Sequence, residues 1–236
     1  MKAWLKGDFD EDGTGRRGGS AFYRVQVALL KAIVDGDHGK GDPYTWMDEY
    51  KFFSKGCYGL GLNAFPVSMR NRATAWKNWT NDKVLKVDGR ILSFAEWTGI
   101  PDFGAYRDWC AGLRQKAFCS LRRQYHPAVI YCGGKDDADY FFRMWADEAD
   151  KNAESGTFAF QGSTTEMEFR YRWLDNSANE QTTLLVVGPF FGGWYGLNSY
   201  DDILDCGQTI RRMCDAHFND GGAWLQRDKF IPLSAG

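Results

Sequence analysis

The stretch from Gly56 to Thr80 reads GCYGLGLNAFPVSMRNRATAWKNWT, and our interpretation of the fold begins from it. Its first part is a short apolar run, typical of a buried central strand, which we place at residues 56–64. Asn63 stands where that run ends. Ligands of open α/β sheets bind outside the carboxyl ends of strands, so the Asn63 amide is a candidate to bind the edge of a nucleobase. The alternative is an asparagine that only caps a turn.

The composition indicates a globular chain with no general basic field. Of its 236 residues, 44% are hydrophobic and 16% aromatic, which is sufficient for the core of one domain spanning residues 1–236. The formal net charge is -2, so a nucleic-acid site requires a local basic strip. The six cysteines form no C-x-x-C pair, and no apolar run approaches the ~18 residues needed to cross a membrane. We therefore expect a reduced, cytoplasmic protein with no membrane partner.

Apolar periodicity predicts strands that alternate with helices. Such alternation favours a three-layer α/β/α sandwich with a mainly parallel four-stranded central sheet. We expect the alternating stretch 154–174 to be an antiparallel hairpin or sheet edge, added as a β-hairpin insertion, and Asp88-Gly89 to turn a second, smaller hairpin. Strands are predicted at 3–5, 56–64, 128–132 and 183–187, and helices at 20–36, 101–125, 136–146 and 199–218.

The helix predicted after Pro101 is the longest, and Pro101 itself is expected in its first turn. Its arginines, which include Arg107 and Arg122, are expected on a solvated face. The inner stripe is predicted to consist of Tyr106, Cys110, Leu113, Ala117, Leu121 and Tyr125.

The loop Gly7 to Gly13 has the acidic spacing with which a calcium loop begins. Gly19 stands where the closing glutamate of such a loop is required, so we expect no metal there. A carboxylate at a strand end can instead orient a water molecule, and the alternative is a solvated acidic loop. The three histidines show no metal or triad spacing, and we expect no cofactor.

A loop rich in glycine and aromatics, GPFFGGWYGLNS, follows the predicted strand 183–187. Its aromatic side chains could stack on a base or enter a duplex. Alternatively they pack in the core or bind a protein partner. The aromatic residues concerned are Phe190, Phe191, Trp194 and Tyr195.

Three segments together resemble the uracil-DNA glycosylase superfamily. They are LNAFPVSMRNRATAWKNWT, then YRDWCAGLRQKAFCSLRRQYHPAVIYCGGKDDADYF, and finally TTLLVVGPFFGGWYGLNSYDDILDCGQTIRRM. In that superfamily a Leu-Asn pair ends a central strand, a long helix leads through Pro into a buried strand, and the last strand is followed by a DNA-contacting loop. The order of the pieces matches along most of the chain.

The resemblance implies a role for several side chains. Asn63 would bind the flipped base, Phe9 would stack on it, and Asp8 or Asp10 would activate water. Gly188-Pro189 falls where many members carry a His-Pro pair, so the histidine is missing here. The DNA-contacting loop would be Gly188, Pro189, Phe190 and Phe191, and the phosphate contacts would be Arg70, Arg72 and Lys77.

The resulting hypothesis is a DNA base-excision glycosylase that recognises a flipped, uracil-type base and hydrolyses its N-glycosidic bond. Its partner would be single- or double-stranded DNA. One alternative is a non-catalytic module of the same fold that binds nucleic acid, a nucleotide or a protein. Another is an enzyme that acts on a free nucleoside or a modified base.

Overall fold

A computed structural model describes residues 21–36, 79–80, 85–162, 165–176, 181–191, 196–197 and 199–226. The strands predicted at 3–5 and 56–64 lie outside the described residues. The described helices are α1 (Ala21–Asp35), α2 (Phe94–Thr98), α3 (Phe103–Tyr125), α4 (Ala138–Trp145) and α5 (Tyr200–Phe218), and the strands are β1 (Leu85–Val87), β2 (Arg90–Leu92), β3 (Val129–Gly133), β4 (Ser155–Gln161), β5 (Glu166–Asn176) and β6 (Gln181–Gly188).

The main described sheet has four strands in the order β3-β6-β5-β4, so the fold is mixed α/β. Strand β3 pairs with β6 in parallel, whereas β5 pairs with both β6 and β4 in antiparallel fashion. The expected mainly parallel sheet is therefore not found in the described part of the chain, where antiparallel pairing predominates. The predicted hairpin 154–174 is confirmed as β4 and β5, and it forms one edge of this sheet.

Helices pack on both faces of β6, whose side chains alternate between two apolar clusters. Leu184 and Val186 pack with α1 and α5 on one face, and Leu185 and Val187 pack with α3 and α4 on the other. All four side chains are fully buried. A strand with no solvated face reads as a continuous apolar run, which is how the sequence TLLVV predicted it.

Helices α1 and α5 pack unusually close together at Ala32 and Gly207. A Cβ added to Gly207 would lie 2.3 Å from the Cβ of Ala32, so only glycine allows this approach. Helix α5 begins after Ser199, whose hydroxyl accepts a hydrogen bond from the N–H of Asp202, as the sequence predicted. Its buried apolar residues include Ile203, Cys206, Ile210 and Cys214.

Helix α3 corrects two predictions. It begins at Phe103 with Asp102 as N-cap, so Pro101 precedes the helix instead of occupying its first turn. Leu113 is 62% exposed and Ala117 is exposed as well, so the predicted stripe is wrong in its middle. The buried face instead runs through Arg107, Ala111, Phe118, Cys119 and Arg122, beside the correctly predicted Tyr106 and Cys110.

The burial of Arg122 is explained by an ion pair with Asp150. Neither side chain is exposed to solvent, and Nη1 of Arg122 lies 2.7 Å from Oδ2 of Asp150. Asp150 also accepts hydrogen bonds from the N–H groups of Asp147 and Asp175. Because Asp175 belongs to β5, this carboxylate joins the end of α3 to the sheet.

No described helix is long and apolar enough to cross a membrane.

The predicted small hairpin is confirmed as β1 and β2, and its turn residues Asp88 and Gly89 both have positive φ, as a type I′ turn requires.

Replacing Asp150 by Ala should reduce the free energy of unfolding by about 3–5 kcal/mol, because the buried guanidinium of Arg122 would keep only Asp147, at 3.1 Å, as an acidic partner, and the N–H groups of Asp147 and Asp175 would lose their acceptor. Arg143→Ala is the matched control, since its pair with Asp108 is exposed on both sides and is worth less than about 1 kcal/mol. Urea unfolding followed by circular dichroism measures both changes. Equal losses in the two variants would contradict the structural role of the buried pair.

Candidate functional site

The carboxyl ends of β3 and β6 form one edge of the sheet, and the candidate site is built there. Gly133 and Gly188 are register partners at these ends, and the N–H of Gly134 donates to the carbonyl oxygen of Gly188 at 2.8 Å. Ligands of α/β proteins bind outside such carboxyl ends. The two glycines leave the edge without side chains, so the segments that follow can lie close over it.

Gly188 occupies a position that admits no side chain. A Cβ placed on it would lie 2.3 Å from Cδ1 of Phe169 and 2.7 Å from Oη of Tyr131. Phe169 is fully buried and its ring stacks on Phe158 at a centroid distance of 4.6 Å, so it has little room to move. The close packing around this position explains why the strand ends in glycine.

Tyr131 anchors the segment after β6. Its hydroxyl donates to the carbonyl oxygen of Pro189 at 2.8 Å, and its ring packs on Phe191 with 4.9 Å between centroids. Burial raises the pKa of Tyr131 well above its ordinary value, so the phenol stays protonated as a donor. The segment Gly188–Phe191 is therefore fixed to β3 by a hydrogen bond and an aromatic contact.

Phe190 and Phe191 have different environments in this segment. Phe191 forms a β-bridge with Leu197, and the N–H of Leu197 donates to the carbonyl oxygen of Phe190 at 3.0 Å. Phe190 is 55% exposed although its backbone is held by this bond. More than half of Phe190 is therefore accessible to solvent, whereas Phe191 packs on Tyr131.

The turn after β3 forms the second part of the edge. It contains Lys135, Asp136 and Asp137, and Gly134 before it has a φ of 131°, a region that favours glycine. Buried Arg107 pairs with Asp137 and lies over the ring of Tyr140 at 4.6 Å. The prediction that Arg107 faces solvent is therefore wrong. Its ion pair with Asp137 connects α3 to the turn.

Charges of both signs lie near this edge. Arg170 stands opposite Val187 in the register and pairs with Asp139 at 2.9 Å. Lys135 is exposed on the turn beside two aspartates. The local basic strip that a nucleic-acid site requires is therefore not supplied by the described edge itself, where acidic and basic side chains alternate.

The buried cysteines do not offer a nucleophile. All five described cysteines are free and buried, as expected for small apolar side chains. Burial raises the pKa of Cys132 to about 12, so its sulfur stays a thiol at neutral pH. Among the described residues, no three histidine, cysteine, aspartate or glutamate side chains come together to hold a metal ion.

Of the predicted site residues, the structure places the loop residues Gly188, Pro189, Phe190 and Phe191 on this edge. Sequence reasoning missed Tyr131 and Arg107. A tyrosine two residues before a Gly-Gly pair, at the end of an apolar strand, is a signal by which Tyr131 could have been found. The predicted residues Asp8, Phe9, Asp10, Asn63, Arg70, Arg72 and Lys77 lie outside the described residues.

Comparison of the chain with models of protein families, with curated proteins and with solved structures finds no match.

Replacing Gly188 by Ala should lower the free energy of unfolding by about 1–3 kcal/mol, because the new methyl group overlaps the ring of Phe169. Gly112→Ala is the control, since a Cβ at this position of α3 meets nothing within 4 Å. That control should instead raise stability by about 0.5–1 kcal/mol through helix propensity. Chemical unfolding of both variants measures the difference, and an unchanged Gly188→Ala would contradict the packing described here.

Proposed function

We propose that this protein is a DNA base-excision glycosylase of the uracil-DNA glycosylase-like kind, which takes a flipped base out of the duplex and hydrolyses its N-glycosidic bond. The observation that carries the proposal is the glycine-lined carboxyl edge of β3 and β6, from which an anchored segment presents Phe190 to solvent. This is the place on an α/β sheet where ligands bind. It is also where the resemblance puts the DNA-contacting loop.

In this proposal the sheet continues beyond the described strands. The segments predicted at 3–5 and 56–64 would add parallel strands to the β3–β6 pair, giving a three-layer α/β/α sandwich with a parallel half and the antiparallel half β5–β4. Their carboxyl ends would then bring the Gly7 to Gly13 loop and Asn63 to the same edge as Gly188. The added strands would pair with the outer edge of β3, which stands at one end of the described strand order.

The chemistry assigned to the site is hydrolysis. Asp8 or Asp10 orients a water molecule, whose oxygen bonds to C1′ of the sugar as the C1′–N bond breaks. The electron pair of that bond leaves with the base, the attacking water gives one proton to the aspartate, and that proton passes through solvent to the base, so the products are a free base and an abasic sugar that carries the hydroxyl on C1′. Asn63 holds the base edge through its amide while Phe9 stacks on the ring.

Binding of the strand is assigned to the exposed aromatic and to three basic side chains. A base stacked on Phe190 would contribute about 1–3 kcal/mol. Stacking is assigned to Phe190 because its side chain is 55% exposed. Phosphate contacts are assigned to Arg70, Arg72 and Lys77.

A second candidate function is favoured by Gly188. In the family that the chain resembles, a histidine before proline stabilises charge that develops on the base carbonyl. Here a side chain at that position would overlap Phe169, so an imidazole has no place beside Pro189. A module that binds nucleic acid, a nucleotide or a protein through the same edge, without cleavage, needs no such group.

Release of uracil from a single-stranded, uracil-containing oligonucleotide distinguishes the two functions. The wild type should release uracil, and Asn63→Ala and the double variant Asp8→Ala/Asp10→Ala should each reduce the rate by at least about 100-fold, the range of one lost acid–base or electrostatic group. Chromatography of the free base measures this. DNA binding without release from any of a panel of damaged bases would support the non-catalytic module and contradict the glycosylase.

Replacing Phe190 by Ala should weaken binding to a single-stranded oligonucleotide by about 5- to 150-fold, which corresponds to the loss of one stacked base. Leu113→Ala is the control, because Leu113 is equally apolar and 62% exposed but lies on α3. Fluorescence anisotropy of a labelled oligonucleotide compares the two. Equal affinities for wild type and Phe190→Ala would remove this loop from the binding site.

A further inference from the structure

The outer edge of β4 is open in the described structure. Strand β4 is last in the order β3-β6-β5-β4, and no other described strand pairs with it. Its sequence SGTFAFQ contains no charged residue and no proline. Edge strands of soluble proteins usually carry such residues, because unpaired backbone groups otherwise pair with another chain. A seven-residue edge strand without a charged residue is therefore unusual, and its outward backbone groups can pair with another strand.

The ladder between β4 and β5 fixes which backbone groups point outward. Beyond the strand ends, the N–H of Gly162 donates to Thr165 and the N–H of Trp173 donates to Glu154. In this register even-numbered residues of β4 therefore bond to β5, since bonded pairs alternate along an antiparallel ladder. The outward N–H and C=O groups belong to Ser155, Thr157, Ala159 and Gln161, whose side chains are exposed.

We propose that β4 pairs with β4 of a second copy of this chain, antiparallel and about a two-fold axis at Phe158. In this register Thr157 faces Ala159 of the other copy and Ser155 faces Gln161, so every outward N–H and C=O group finds a partner. The two four-stranded sheets become one continuous sheet. Such isologous pairing is the commonest form of homodimer.

Charge and aromatic packing favour a second copy as the occupant. In this register every side chain of β4 faces another β4 side chain, and β4 carries no charge that would repel its copy. Phe158 and Phe160 are only half-buried, and they stack on Phe169 at 4.6 and 5.4 Å. Pairing at the axis brings Phe158 of each copy beside the other and buries this aromatic cluster further.

Ala159→Pro tests the pairing with little disturbance of the fold. Proline removes an outward N–H, and the bonds of β4 to β5 are made by the even-numbered residues. Thr157→Lys is a second variant, which places two ammonium groups close to the axis. Ile91→Lys is the control, because it adds the same charge at an exposed strand position of the separate β1–β2 hairpin.

Sedimentation equilibrium from 1 to 200 µM measures the assembly, and circular dichroism shows that each variant is folded. We expect a wild-type dimer that Ile91→Lys retains, and a dissociation constant raised at least about tenfold in both β4 variants, the effect of roughly 1.4 kcal/mol in lost backbone bonds. Hydrogen exchange should protect the amides of Thr157 and Ala159 only at dimer-forming concentrations. A wild type that is monomeric at 200 µM overturns the proposal. Protection of these amides that does not depend on concentration also overturns it, because a segment of the same chain would then cover the edge of β4.

Discussion

Strand β6 is buried on both faces and bonded along both edges, and the described architecture follows from this constraint. Its four central side chains are inaccessible to solvent, so each face needs a helical layer, supplied by α1 and α5 on one side and α3 and α4 on the other. Its two edges pair differently, in parallel with β3 and antiparallel with β5. The carboxyl end of this central strand therefore lies between Gly133 of β3 and Arg170 of β5.

The elements of the described chain could largely be predicted from the sequence, but their pairing could not. Apolar runs and caps located β3, β6, α1 and α5, because burial on one face or on both leaves a periodic signal. The hairpin β4–β5 was also predicted, yet its place in the sheet depends on β5 bonding to β6, which is a tertiary contact with no local signal. Alternation of strands and helices indicates parallel pairing only when each helix returns the chain to the same edge. Between β3 and β6 the chain instead inserts two antiparallel strands.

The burial of two arginines of α3 likewise depends on tertiary contacts that the local sequence does not reveal. From sequence alone, charged side chains are predicted to face solvent. That assumption led to a predicted buried face of α3 that runs through Leu113 and Ala117. Arg122 and Arg107 are buried because Asp150 and Asp137 come to them from segments 28 and 30 residues away. A buried charge is stable only with such a partner, and the partner's position is a property of the fold. Of the candidate site, the loop after β6 was predicted from its composition, whereas its anchor Tyr131 depends on the same kind of tertiary contact.

The packing at Gly188 bears directly on the chemistry that this edge can perform. The phenol of Tyr131 is held by the carbonyl oxygen of Pro189, and its raised pKa makes it a neutral donor rather than a base. Phe169 fills the space in which a side chain at position 188 would begin. A glycosylase of the proposed kind would therefore have no side chain at position 188 with which to stabilise the departing base. A module that only binds needs the exposed ring of Phe190 and the anchored backbone beneath it, both of which are formed by contacts within the sheet itself.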